Sequence, residues 1–300
     1  MPAAARKETD YPMDLLNTLV QGLMLGGLYA LFAAGLSIMF GVMRMVNLAH
    51  GDLAVIAGYL VLVLLGGTMF PLWLVVLVTL PLFAVIGYGI HRSLFSRSLK
   101  AGPLSALLVT FGLSIVIQNG LLEGFSADTR TIDMGVLNTG AFHLNNQLSI
   151  SYLGLLTLIL AVVVIVGVQL FLSRTRTGKM MRAVSDDADT ASLVGANSKH
   201  LYAIATAIAF GTVALAGIMS GARSSFDPSI GPTQLIFAFE AVVIGGLGSL
   251  WGTLAGGVVL GLTQAFAAHL DPSFTILAGH LVFLAVLAFR PQGLIPQRTV

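Results

Sequence analysis

The sequence predicts an all-α polytopic membrane protein of about nine transmembrane helices, within a range of eight to ten, some broken or half-spanning. Three observations predict it. Only 9% of the residues are charged, against about 25% in soluble domains. Mean hydropathy is +0.93, and apolar runs of about 20 residues, each long enough to cross a 30 Å hydrocarbon layer as a helix, recur along the whole chain. The runs are continuous, whereas a β-barrel would show short alternating segments.

The elements follow in order. Residues 1–12 carry Arg6, Lys7, Glu8 and Asp10 and do not read as a signal peptide, because the apolar run behind them is too long for an h-region. They are expected to be a disordered, dispensable extension, with Met13 as a candidate start. The expected spans are 15–42, 51–67, 70–90, 103–122, 148–172, 201–222, 233–249, 252–268 and 273–289. The first is long enough to tilt or break, and the seventh and eighth are short enough to be half-spanning. Of the 15 Lys and Arg residues, Arg44, Arg92, Arg97, Lys100, Arg174, Arg176, Lys179, Arg182, Lys199, Arg290 and Arg298 fall on one side of this arrangement. Arg6, Lys7, Arg130 and Arg223 fall on the other. The positive-inside rule then places the N-terminus outside and the C-terminus in the cytoplasm. Loop 123–147, with Glu123, Asp128 and Asp133, is external and acidic.

The 34 glycines are unevenly placed. Gly22 and Gly26 form a GxxxG pair, Gly248, Gly252 and Gly256 keep the four-residue spacing, and Gly257 and Gly261 repeat it. In an apolar helix this makes a flat stripe for close helix packing, within the chain or against a second subunit. The GGLGS stretch at 245–249 resembles a phosphate loop only superficially, because no GK[ST] follows anywhere in the chain. Absent cysteine excludes disulfides, thiolate metal sites and thiol chemistry. No second His or Cys lies at ligand spacing from His50, so no metal is expected there; no cofactor is expected, and the net charge of +2 does not suggest a nucleic-acid partner.

Segment 173–200, SRTRTGKMMRAVSDDADTASLVGANSKH, is the one substantial polar stretch between spans on the basic side. Its mixed apolar and charged residues read as helix, with Gly195 as a stop. Such a helix either seats in a partner's groove or lies on the lipid surface.

The stretches GGLYALFAAGLSIMFGVMRMVNLAHGD, TGKMMRAVSDDADTASLVGANS, EAVVIGGLGSLWGTLAGG and RPQGL together resemble the permease subunit of branched-chain amino acid ABC importers of the LivH type. Related urea and short-amide permeases share much of the pattern. The resemblance implies a type II ABC importer-like permease domain over 13–300, in a bacterial cytoplasmic membrane. It implies three kinds of partner: a second permease subunit, identical or different; two ATPase subunits; and an extracytoplasmic binding protein that delivers the amino acid. The segment at about 174–200 is then similar to a coupling segment that docks in the ATPase, with Gly178, Arg182, Ala183, Asp187, Ala191, Leu193 and Gly195 as candidates. Many relatives carry a small residue where this chain has Glu240, so the resemblance assigns Glu240 no role.

The polar knot MVNLAHGDLA at 45–54 has two readings. Asn47, Gly51 and Asp52 simply end one helix and start the next. Alternatively the segment dips into the bilayer, where exposed backbone N–H groups suit a substrate carboxylate. Glu240, within an apolar span, either lines the path or packs as a bonded carboxyl. The substrate-pathway candidates are Asn47, His50, Gly51, Asp52, Glu240, Gly245 and Gly246. A secondary carrier would favour intramembrane ionisable relays, which are few here. An enzyme would need a nucleophile–base pair or metal cluster, and a channel would need a ring-forming charge pattern.

Overall fold

The computed structural model describes residues 3–67, 70–143 and 148–295, with side chains from Asp14 onward. The expectation for the 1–12 extension therefore falls on side chains outside the described residues, as does Arg298. Helix α1 (Ala3–Met43) contributes a long apolar span from Asp14. It is followed by α2 (His50–Gly67), α3 (Leu72–Ala101, with a π turn at His91–Phe95) and α4 (Pro103–Phe125). A two-stranded hairpin, β1 (Ala141–His143) with β2 (Ser149–Ser151), leads into α5 (Tyr152–Arg174). Two short helices, α6 (Arg176–Asp186) and α7 (Ala188–Leu193), precede α8 (Ser198–Arg223), α9 (Gly231–Gly245), α10 (Leu250–Leu270) and α11 (Thr275–Phe289).

Among the described residues, eight helices are long and apolar enough to cross a membrane, and α9 is a shorter apolar helix. The seventh expected span is thus short, as its length suggested. The eighth is not: α10 runs a full 21 residues. Helix starts follow local chemistry. Side-chain oxygens of Ser151, Thr175, Asp187, Asn197 and Ser249 accept backbone N–H bonds at the N-termini of α5, α6, α7, α8 and α10, meeting donors that have no partner within the helix.

The core is α1 wrapped by α10, α8, α5 and α9. The glycine stripes explain how such apolar helices come so close. A Cβ on Gly26 would lie 2.7 Å from the Val258 Cα, and one on Gly261 would lie 2.3 Å from the Gly26 backbone N. Gly252 and Gly256 do the same against Gly245 and Ala241 of α9. Packing between lipid-facing helices has no strong hydrophobic drive and relies on such contacts. Gly248 departs from the expected stripe. It lies in the turn between α9 and α10 with φ +79°, because the chain must reverse there and only glycine takes that conformation without strain.

The Lys and Arg sorting expected from sequence appears as two ends of the bundle. At the basic end, Arg92, Arg97, Lys100 and Lys199 line one cavity, and Ser185 of α6 donates to the Gly41 carbonyl at 2.5 Å. Gly41 in turn packs on Gly248. At the opposite end, Arg130 pairs backbone to backbone with Phe226.

Candidate functional site

The polar knot is not a surface turn. Helix α1 ends at Met43, Arg44 turns with φ +49°, and the chain runs back into the bundle before α2 begins. His50 Nε2 donates to the Phe32 carbonyl at 2.9 Å. The His50 ring also lies against Gly35, which faces Thr212 of α8. Phe32 precedes the basic end of α1 by eleven residues, and Thr212 precedes the opposite end of α8 by eleven. At 1.5 Å rise, each distance is about 16 Å, so His50 lies midway through a layer about 30 Å thick. The expected turn between spans one and two is instead re-entrant.

A second helix start meets it there. A Cβ on Gly51 would lie 1.8 Å from the Gly231 carbonyl oxygen, and a Cβ on Gly231 would lie 2.0 Å from Asp52 Oδ1. The N-termini of α2 and α9 therefore converge inside the bundle. Non-helical backbone survives at such depth only where protein or a water-filled cavity satisfies it, and two converging N-termini present partial positive charge. Asp52 answers part of that charge. It is 1% exposed, and its Oδ2 accepts from Ser114 Oγ of α4 at 2.5 Å, while Gln118 donates to the same hydroxyl at 3.0 Å.

The junction keeps polar capacity in reserve. Asn47, His50 and Asp52 are buried, and so is Gln234 on the first turn of α9. Asn47 Oδ1 accepts from the Ala49 N–H at 3.1 Å. Asn47 Nδ2, His50 Nδ1, Asp52 Oδ1 and Gln234 Oε1 have no partner among the described residues. Buried polar atoms are normally bonded, and four unmet ones lie around this one junction. The knot does start a helix, as the first reading expects, and that start lies buried inside the bundle.

A family model described as branched-chain amino acid transport system, permease component, matches residues 18–289. The chain belongs to this family. The permease is 33% identical over 296 residues to the high-affinity branched-chain amino acid transport system permease protein BraD of Pseudomonas aeruginosa, covering 93% of this chain and 95% of that one. It is 28% identical to the permease protein LivH of Escherichia coli at the same coverage. It is also 29% identical over 232 residues to the fructose import permease protein FrcC of Rhizobium meliloti, covering 72% of this chain and 62% of that one. No solved structure matches. The permease is accordingly a multi-pass membrane component of a transport system.

Not every candidate lies at the junction. Gly245 and Gly246 end α9, fourteen residues or about 21 Å from Gly231. There they serve packing. A Cβ on Gly245 would lie 2.0 Å from the Gly252 carbonyl, and the Leu294 and Ile295 N–H groups donate to Ile244 and Gly245 at 2.9 Å. Gly246 and Gly293 take φ of +116° and +80° so that the RPQGL tail can clasp this turn.

Glu240 lies partway down α9. It is 2% exposed and bonds through Oε1 to His280 Nδ1 of α11. Sequence reading found Glu240 and missed His280, although an ionisable side chain inside the last apolar run was the signal for a partner. Truncating one member leaves the other unmet in an apolar setting. A double-mutant cycle with Glu240→Gln and His280→Leu is expected to give a coupling of about 0.5–3 kcal/mol in thermal unfolding of the purified protein. Additive losses would show that the two side chains do not support each other.

The 174–200 segment is two helices, not one. Gly178 lets α6 fold against the end of α5, since a Cβ there would lie 2.2 Å from the Phe171 carbonyl. Met181 and Val184 of α6 and Ala191 of α7 are buried, while Arg182, Ala183 and Asp187 are exposed. Asp187 caps α7, and the Thr190 hydroxyl and amide hold its carboxyl below the usual range. Leu193 and Val194 are each 86% exposed, just before Gly195 stops the helix at φ +89°.

Proposed function

We propose that this permease carries branched-chain amino acids into the cytoplasm of a bacterial cell, across the cytoplasmic membrane. An extracytoplasmic binding protein delivers the substrate, and two ATPase subunits, seated on α6 and α7 of this chain and of a second permease subunit, supply the energy. ATP hydrolysis belongs to those partners. In this reading the basic end of the bundle is cytoplasmic, which follows from the positive-inside rule, and the N-terminus is outside. The observation that carries the pathway is the convergence of α2 and α9 at Gly51 and Gly231, ringed by unmet polar atoms. The names of BraD and LivH support the substrate class.

In that frame the junction is the narrow point between outer and inner halves. Asp52, Gln234 and the helix N-termini replace water around the ammonium and carboxylate of a passing zwitterion. The test is uptake by the complex reconstituted in liposomes with its binding protein and ATPases. Radiolabelled leucine should accumulate only when both ATP and the binding protein are present. Uptake driven by an ion gradient without ATP would point to a secondary carrier. ATP-driven uptake of urea or short amides, with none of leucine, would overturn the substrate class.

A further inference from the structure

Directly above the junction, on the side of Arg223, lies a cavity of about 160 Å³ between α1, α8 and α9. Its walls are apolar side chains, including Leu28, Phe32 and Phe237, and its polar groups include Arg223, Ser220 and Gln234. Phe32 belongs both to this wall and to the junction, since its carbonyl receives the His50 proton. A molecule held in the cavity therefore stands next to the narrow point.

The chemistry of the lining is that of a small zwitterion with an aliphatic tail. Arg223 ends α8 at the mouth and has no ion-pair partner among the described residues. A guanidinium offers a planar pair of donors matched to a carboxylate. Gln234 donates through Nε2 to Ser220 Oγ at 3.2 Å, which fixes the amide and leaves Oε1 as an acceptor with no partner. An ammonium group supplies three donors and no acceptor, which is what Oε1 lacks. The space itself sets the size. A dry cavity of about 150 Å³ lined by Leu, Ile and Phe accommodates benzene, so this one takes a three- or four-carbon branch with the charged head at its mouth. A polar side chain in the same place would lose its hydrogen bonds to water without replacement.

We propose that this cavity is a binding site for the transported amino acid itself, with the carboxylate on Arg223, the ammonium on Gln234 Oε1 and the branched side chain against Leu28, Phe32 and Phe237. The site rests on the transport reading above and adds to it a selectivity step in the membrane, separate from the binding protein.

The chain has no cysteine, so Thr233→Cys, at the edge of the cavity, supplies its one thiol. The assembled nucleotide-free complex, in lipid nanodiscs without binding protein, is treated with a membrane-impermeant methanethiosulfonate reagent. L-Leucine should slow modification of the new thiol, and leucinamide, which has no carboxylate, should not. Adding Arg223→Gln should raise the half-protecting leucine concentration by at least about tenfold, the loss expected for a charge-assisted bond, with Arg223→Lys in between. ATP-driven leucine uptake by the same complex, reconstituted in liposomes with its binding protein, separates this site from the transport reading. Uptake without protection by leucine overturns the site and leaves transport standing. Protection that survives Arg223→Gln overturns the carboxylate assignment. Absence of leucine uptake overturns both.

Discussion

Gly51→Ala is expected to lower uptake by more than about tenfold and to destabilise the protein by about 1–3 kcal/mol, the range for forcing one methyl into a packed site. The added Cβ would lie 1.8 Å from the Gly231 carbonyl oxygen. That atom is backbone, so no side chain can turn aside, and α2 must separate from α9. Separation moves Asp52 away from Gly231 and Ser114 together, and it widens the point through which substrate passes. The reciprocal change separates geometry from mere loss of glycine. In Gly231→Ala the nearest atom is Asp52 Oδ1 at 2.0 Å, the end of a side chain that can rotate, although the Asp52 backbone N at 2.9 Å remains close. Gly231→Ala should therefore be milder in thermal unfolding. If it is the more severe, or if Gly51→Ala unfolds and transports like the parent, the convergence of the two helix starts is not the narrow point of the path.

The contrast between Gly51 and Gly248 shows what was legible in the sequence. Apolar runs, the grouping of Lys and Arg, and the stripes at Gly22, Gly26, Gly252 and Gly256 depend on local periodicity, and the structure follows them. Gly248 has the same spacing but lies past the end of α9, and spacing alone cannot tell a helical glycine from the one that reverses the chain. Depth was also hidden. Asn47, His50 and Asp52 read in the sequence more readily as a turn than as a buried junction, because the difference is set by which residues of α1, α8 and α9 surround them. His280 was invisible as a partner of Glu240 for the same reason: forty residues separate them. Arg223 was counted only as a loop charge, and its place at the mouth of a cavity needed the packing of three helices.

Leu193→Asp with Val194→Asp should abolish recovery of the ATPase subunits with this chain while leaving its insertion and thermal unfolding intact. Both side chains are 86% exposed, so their replacement removes almost no contact within the chain, and surface changes of this kind shift stability by about 0.5 kcal/mol or less. An exposed apolar pair at the end of an ordered helix, held under the bundle by buried Met181, Val184 and Ala191, is shaped to enter a groove. Burying a Leu or Val side chain in such a groove contributes about 1.5–3 kcal/mol each, and two carboxylates in a dry groove would reverse that contribution. A helix that merely rests on lipid would behave differently. Its release from the headgroups would leave ATPase recovery unchanged, because nothing at the interface would have been altered. Mass spectrometry of the tagged permease purified in mild detergent distinguishes the two: stoichiometric ATPase with the double variant would remove α7 from the coupling path, whatever the uptake rate. Loss of ATPase from a chain that inserts and unfolds normally would place the energy input about 14 Å from the His50 contact along α1, because Ser185 of α6 grips the Gly41 carbonyl near the end of that helix. Movement of α6 would then be transmitted along α1 to Phe32, whose carbonyl holds His50 at the junction.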